Sequence, residues 1–583
     1  MSAFLGVEAS ILNRRWTGPG EDVERLGAAI AQTIAAPEIV GRVLAARGVA
    51  AADAVAYLNP TLRDLTPDPS SLKDMDVAAA RLAAAARKGE RIAIFGDYDV
   101  DGGASSALLL DWLRAVGRDA TVYIPDRIDE GYGPNDEAMR ALAKAHDLII
   151  CVDCGTLSHQ PIAAAMEAGA EVMVADHHLA GETLPDCAAV VNPNRHDDES
   201  GMGHLCAAGV VFLLLIAANR LRRAAGESAP DLMGALDLVA LATIADVAPL
   251  IGVNRAFVRQ GLKVMAQRGR PGLRALADAA KMDSAPTAFH LGFLLGPRVN
   301  AGGRIGKADL GARLLSTTLA EEAEGLAQEL DRLNAERRQI EADVLGLAVE
   351  QAEERGADGP LVWAAGDGWH PGVVGIVAAR LKERFNRPAV VIGVDGAEGK
   401  GSARSVEGVD LGAAIAACAR EGALLKGGGH RMAAGLTVAT DGIEAAMARL
   451  GEKLAKDFGS LPTARAMRID GALTAAAATP ELVEMLEAAG PFGQAAPAPR
   501  FVLPAMKVAF AKRAGADHLR LTLADPSGGR IDAIAFRAFQ NDLGPFLEAR
   551  QGDPAHLAGR LEIDDWGGRR KAKLRVEDAA SPV

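Results

Sequence analysis

Arg91-Ile92-Ala93-Ile94-Phe95-Gly96-Asp97-Tyr98-Asp99-Val100-Asp101-Gly102-Gly103 is the stretch on which the reading of this chain turns. Its short apolar run has the character of a strand buried on both faces. Three carboxylates at alternate positions follow directly, and a helical pattern begins at once. Alternate side chains of an extended segment point the same way. The three acids therefore converge, and converging carboxylates repel one another unless a cation lies between them. A calcium loop also opens D-x-D-x-D-G, but it requires a bidentate Glu at its twelfth position. Here that position is Leu108.

Further strand-like runs lie at 120–124, 147–152, 171–175 and 188–191, with helical stretches between them. Continuous apolar strands alternating with helices predict a parallel sheet covered on both faces. In such a sheet ligands bind at the carboxyl ends of the strands. Those ends repeat the acidic chemistry: Asp153 follows 147–152, and Asp176-His177-His178 follows 171–175. Asp246 stands in the otherwise apolar Leu241-Ala242-Thr243-Ile244-Ala245-Asp246-Val247, where a lone carboxylate is costly without a partner. Carboxylates with imidazole, and no fitting thiolate pattern, favour Mn2+ or Mg2+ over structural zinc. The number of acids suits two ions about 3.5–4 Å apart. Cys151-Val152-Asp153-Cys154 is a C-x-x-C without a second C-x-x-C or an H-x-x-x-H, and is read as incidental strand-end cysteines.

The rest of the chain frames this core. Residues 206–246 are mostly helical. Residues 318–356 form a long charged amphipathic stretch, predicted to be a helix connecting two lobes. Strand and helix patterns resume at 360–440. From about 466, short β-like runs such as 519–523 and 531–536 predict a small barrel. The predicted divisions are an N-terminal extension and linker (1–75), a catalytic lobe (76–315), the connecting helix (316–358), a second α/β lobe (359–460) and a C-terminal barrel (461–583).

The 583 residues are 49% hydrophobic and 24% charged, which excludes a mostly disordered chain. A net charge of −13 argues against a uniformly basic coat protein, but not against a local basic groove. No apolar run reaches the roughly 18 residues a membrane span needs. The N-terminus lacks a signal-peptide pattern. Five cysteines are too few for a disulfide framework. No membrane association and a reducing, cytoplasmic compartment are the expectations.

Gly96-Asp97-Tyr98-Asp99-Val100-Asp101-Gly102, Asp153-Cys154-Gly155, Asp176-His177-His178 and Asp246 resemble, in order, the motifs of the DHH phosphoesterase superfamily. Arg127-Ile128-Asp129-Glu130-Gly131-Tyr132-Gly133, Gly296-Pro297-Arg298-Val299-Asn300-Ala301, Gly401-Ser402-Ala403-Arg404-Ser405 and Gly427-Gly428-Gly429-His430 extend the resemblance to its single-strand-specific 5′→3′ DNA exonucleases. It covers residues from about 55 to the end. One departure is Ala301-Gly302-Gly303-Arg304, where two alanines are expected before the Gly; the extra Gly is expected to loosen a turn.

The resemblance implies a fold: a DHH-type parallel-sheet lobe, a long connecting helix, a DHH-associated lobe and an OB-type barrel. It implies that Asp97 and Asp99 hold one ion, that Asp101, His177 and Asp246 hold the other, and that Asp153 bridges them. His178 then faces the scissile phosphate. Arg127, Arg298, Asn300, Arg304, Ser402 and Arg404 are candidates around the terminal nucleotide, guanidinium forks being suited to phosphate. Gly428 and Gly429 would let backbone N–H groups approach a phosphate, with His430 opening a helix-like stretch, Arg431-Met432-Ala433-Ala434-Gly435, as an anion site.

The segment 505–575 carries 13 Lys/Arg and 9 Asp/Glu, and ends in Arg569-Arg570-Lys571-Ala572-Lys573-Leu574-Arg575. A basic grip on a single strand is expected of it. The implied activity is metal-dependent hydrolysis of single-stranded DNA from a 5′ end in recombination and repair. The implied setting is a monomer working with single-strand-binding protein and a RecQ-type helicase. The alternatives are a DHH phosphodiesterase for short oligoribonucleotides and a catalytically inactive DNA-binding scaffold.

Overall fold

The structure, a computed structural model, describes residues 3–126, 130–131, 133–459, 464–565 and 570–582. The chain forms two compact units. One gathers Met1–Pro67, Pro249–Arg259 and Pro462–Val583; the other comprises Asp68–Ala248 and Gln260–Leu461. After β1 (Arg14–Thr17), which belongs to the first unit, the chain enters the second.

There β2 (Ile92–Gly96), β3 (Ala120–Tyr123), β4 (Leu148–Val152), β5 (Glu171–Ala175) and β6 (Ala189–Val191) form a five-stranded sheet in the order β3-β2-β4-β5-β6. All its pairings are parallel, as predicted. β2 and β4 are buried along their whole length. On one face Phe95, Ile149, Cys151, Val172 and Val174 pack with Met139, Leu142 and Ile162 of the crossover helices. Each such large side chain contributes about 1.5–3 kcal/mol when fully buried.

The connecting helix Ala320–Glu354 runs 35 residues, about 52 Å at 1.5 Å per residue. Leu326, Leu330 and Leu333 are buried in its first half. Val344, Ala348 and Ala352 in its second half join the core of the second lobe. Its outer face carries ion pairs one turn apart, such as Arg332–Glu329 at 2.8 Å and Arg332–Glu336 at 2.9 Å.

The second lobe has β7 (Val362–Asp367), β8 (Ala389–Asp395), β9 (Glu398–Arg404), β10 (Lys426–His430) and β11 (Ala433–Ala439) in the order β10-β11-β9-β8-β7. Only β7 and β8 pair in parallel. The expectation of a helix start after His430 is corrected here. Gly427–His430 belongs to β10, which pairs antiparallel with β11 across a tight turn at Arg431-Met432. The glycines lack the apolar periodicity a helix needs and present backbone along a sheet edge.

Back in the first unit, β12 (Arg465–Arg468) and β13 (Gly471–Ala472) lead to β14 (Phe501–Ala514), β15 (His518–Ala524), β16 (Arg530–Ala535), β17 (Pro554–Asp564) and β18 (Lys571–Ala580). Antiparallel pairing of β14 with β17 closes β14-β15-β16-β18-β17 into a five-stranded barrel. Leu503, Val508, Leu519, Leu521, Leu557 and Leu574 fill it.

Residues 1–75, read from sequence as an extension and linker, contain a folded part of this unit. β1 pairs in parallel with β12. The fully buried Trp16 donates its indole N–H to Asp578 at 3.0 Å. Ile39, Val40 and Val43 pack on Leu482, Leu486 and Phe501. Among the described residues no single helix is long and apolar enough to cross a membrane.

Candidate metal centre

Parallel register makes the site. Gly96 is level with Val152, Val152 with Ala175, and Ala175 with Val191. The next residue of each strand is therefore Asp97, Asp153, Asp176 and Asn192, a single polar row along the carboxyl edge. Asp97 and Asp153 are buried, at 4% and 2% exposure. A Cβ on Gly102 would fall 2.4 Å from the Asp97 carbonyl oxygen, so only glycine lets the acidic loop close on itself.

Asp99 caps the helix Val100–Ala115, its Oδ1 accepting from the backbone N–H groups of Asp101 (2.8 Å) and Gly102 (3.1 Å). Asp101 is clamped by the start of the helix Ala207–Ala224. Ala207 N–H donates to its Oδ2 at 2.6 Å and Ala208 N–H to its Oδ1 at 2.8 Å. Asp246 caps the C-terminus of the helix Leu236–Ala245.

His177 Nε2 lies 3.2 Å from Asp153 Oδ1, 3.7 Å from Asp101 Oδ2 and 3.9 Å from Asp246 Oδ2. Three groups have ligand atoms within 4.8 Å of one another: Asp97, Asp99 and Asp153; Asp101, His177 and Asp246; and Asp153, His177 and His178. Burial, with the neighbouring carboxylates, pushes Asp153 well above the ordinary carboxylate range and raises Asp101 too. The same causes lift Asp246 to about 8.

These residues fit a hard divalent cation. Every donor is a carboxylate oxygen or an imidazole nitrogen, and Asp153 Oδ1 is a buried oxygen that accepts no hydrogen bond. Asp153 also holds a left-handed backbone, φ 59°, which aims its carboxylate off the end of β4. Cys151 and Cys154 are buried free thiols. The Cys154 thiol is pushed far up by its hydrogen bond with Cys151 and by burial, and it donates to the Val152 carbonyl at 3.4 Å.

His178 is oriented by Asp176. Its Nδ1 lies 2.8 Å from Asp176 Oδ1. Burial alone would lower the imidazole, but the hydrogen bond and charge of Asp176, with Asp246 and Asp97, lift it to about 9. Burial would raise Asp176, yet His178 and Thr156 hold it below the usual range. Sequence reasoning places Asp176 in the motif and gives it no role. It fixes the loop, accepting from His177 N–H (2.7 Å), His178 N–H (3.2 Å) and Thr156 Oγ1 (2.7 Å). Asn192 and Asn194 escape sequence reasoning altogether. Their amides donate to the carbonyls of His178 (2.8 Å) and His177 (2.6 Å). Their signal is visible in retrospect: polar residues just past the apolar strand 188–191.

The candidate strand-binding residues divide. Arg127 lies outside the described residues. Arg298 is committed to structure, donating to Asp331 at 2.9 Å and to the Leu294 carbonyl at 2.7 Å. Asn300 accepts from Val100 N–H at 2.9 Å and so braces the acidic loop. Arg304 donates to the Gly372 carbonyl at 3.1 Å, tying the first lobe to the second. Gly302 sits inside the helix Gly296–Ile305 and not in a turn, as expected from sequence; a Cβ there would meet Leu330 and the Lys307 carbonyl at 3.2 Å. On β9, Arg404 Nη1 donates to Ser402 Oγ at 3.0 Å. Gly375, on the helix Pro371–Phe385, makes room for both side chains: a Cβ would lie 3.1 Å from Ser402 Oγ and 3.2 Å from Arg404 Nη2. Gly428, Gly429 and His430 lie on β10, the edge strand of their sheet.

Comparison with known proteins agrees with this geometry. Residues 91–243 match the model of the DHH family N-terminal domain, 358–456 that of the DHHA1 domain and 469–578 that of the RecJ OB domain. The single-stranded-DNA-specific exonuclease RecJ of Dickeya dadantii is 37% identical over 561 residues, 93% of this chain and 96% of the relative. The crystal structure of Thermus thermophilus RecJ in complex with Mn2+ superposes with a TM-score of 0.82 at 31% identity, covering 98% of this chain and 80% of that one. The Mg2+ complex of the same protein gives 0.74 at 29%, covering 98% and 79%. A row of acids fixed by strand register, a histidine held among them and matches along nearly the whole chain lead to one assignment: this chain belongs to the RecJ family.

Proposed function

We propose that the protein is a Mn2+- or Mg2+-dependent exonuclease that degrades single-stranded DNA from the 5′ end and releases 5′-mononucleotides, in recombination and repair. The observation that carries this reading is the convergence of Asp97, Asp99, Asp101, Asp153, His177 and Asp246, drawn from distant parts of the chain, into two groups whose ligand atoms lie within 4.8 Å inside each group. Asp97, Asp99 and Asp153 would hold one cation and Asp101, His177 and Asp246 a second, with Asp153 in reach of both. Bound there, such a pair supplies a nucleophile at neutral pH and offsets charge on the attacking and leaving oxygens.

The chain's own groups do the rest. The two amides of the helix Ala207–Ala224 keep Asp101 from swinging away. Asp176 takes the Nδ1 side of His178 and so fixes the direction the ring faces. The hydrogen bond and charge of Asp176 favour the protonated form of His178, the form able to give a proton to the leaving oxygen. Ser402 and Arg404, already joined, form a fork suited to a terminal phosphate. Gly428 and Gly429, which carry no side chains, let the backbone of the DNA strand approach β10 closely.

The test is an end-labelling assay on the full chain with Mn2+ and matched single-stranded and duplex DNA. The expected result is prompt release of the 5′ label as a mononucleotide from the single strand only. Prompt release of a 3′ label, or equal attack on the duplex, would overturn the reading.

A further inference from the structure

Phe289 and Phe293 are exposed to 55% and 73%, unusual for large apolar side chains. Their rings stack, with centroids 5.1 Å apart and planes within 25°. His290 meets Phe289 edge-on at 6.0 Å. The pair stands at the head of a π-helical turn, His290–Leu295, that runs directly into the helix Gly296–Ile305. Such turns recur at functional sites.

This rod is anchored to the metal centre at two points. A Cβ on Gly292 would lie 3.2 Å from Ile244, and one on Gly296 would lie 3.3 Å from Ala245. Ile244 and Ala245 are the two residues before Asp246. Further along, Asn300 holds the acidic loop through Val100. Phe293 and Asn300 lie seven residues apart along this rod. Val247, 63% exposed beside Asp246, is a further apolar side chain open to solvent there.

We propose that Phe289 and Phe293 form a stacking platform that takes an unpaired base of the DNA strand as it reaches the acidic loop. The proposal rests on the single-strand reading of the site. Every base has a π-face, so an aromatic platform grips without reading sequence. A duplex hides those faces within its stack, so the same platform discriminates against paired DNA. A protein partner fits less well. Two aromatic side chains, at about 150–250 Å2 each, fall short of the roughly 800 Å2 per partner of a stable protein interface, and exposed polar Lys281, Asp283, Ser284 and Thr287 precede them in sequence.

The test measures binding of the full chain in EDTA to an oligodeoxythymidine and to the same strand built with abasic spacers. Phe289→Ala/Phe293→Ala should weaken binding of the base-bearing strand about 10-fold or more and leave the abasic strand unchanged. Phe293→Leu, apolar but not aromatic, should lose affinity as Phe293→Ala does. Unchanged affinity for the base-bearing strand, equal loss on both strands, or full retention by Phe293→Leu would each overturn the platform. Cleavage of single-stranded DNA by the unaltered chain with Mn2+ is scored separately. If that is present while the variants bind normally, the platform fails and the nuclease reading stands.

Discussion

The acidic row and the basic strand β18 both gather like charge, the first by strand register from distant parts of the chain and the second along one strand, and the fold treats them in opposite ways. The ion pairs of Asp101, Asp153, Asp176 and Asp246 run only to His177 and His178 among the described residues. In the barrel, Lys573 pairs with Asp564 at 3.5 Å, Arg575 with Glu562 at 3.4 Å, and Arg570 with Glu484 and Asp565. Nor is β18 an edge, since it lies between β16 and β17. A run of like charge marks a ligand site only where the fold withholds the counter-charge. By that measure the barrel's available cations include Lys512 and Arg520, exposed and directly opposite each other across β14 and β15.

The sharpest way to break the comparison is at Asp153. Asp153→Asn keeps the shape and removes the charge. Turnover on single-stranded DNA should fall more than about 100-fold, beyond the usual cost of losing a residue that merely supports a ligand. Affinity for the strand in EDTA should hold. Parallel loss of binding would make Asp153 a structural residue instead.

A smaller effect concerns stability. Asp246 is lifted to about 8 in the folded chain, and Asp101 and Asp153 are raised with it. Unfolded, these groups titrate at about 4. The folded chain therefore holds more protons across that window, and its stability in EDTA should fall as pH rises from about 4 to about 8. Mn2+ offsets the repulsion, by about 2.7 kcal/mol at 100 times its Kd. The gain in Tm on adding Mn2+ should be larger at pH 8 than at pH 6. Equal gains would mean that the acids do not share the ion.

The smallest effect tests the barrel. Lys512→Ala/Arg520→Ala should reduce the salt dependence of single-strand binding, the slope of log K against log salt changing by about 0.7 for each phosphate no longer neutralised. Lys573→Ala/Arg575→Ala should leave the slope as it is. The reverse order would show that the ion pairs of β18 open for DNA.

The parallel sheet and its acidic edge were legible because local rules fix both: an apolar run sets the strand, and the residue after it must face the ligand edge. Register then aligns Asp97, Asp153 and Asp176 without further information. What a motif does not carry is side-chain direction. Arg298 and Asn300 stand in a motif associated with substrate, yet one is spent on Asp331 and the other on Val100. Long-range pairing was equally hidden: Trp16 finds Asp578 some 562 residues away, and nothing near position 16 announces it. The glycine run 427–429 misled for a third reason, since glycine fits a helix start and a hairpin alike.

The left-handed torsion at Asp153 leaves that position without a conservative neighbour in the amino-acid alphabet. Asparagine tolerates the torsion but cannot carry the charge. Glutamate carries the charge but is strained by the torsion and reaches too far, and glycine relaxes the chain while bringing no ligand at all. Natural variation at this one residue therefore has almost nowhere to go.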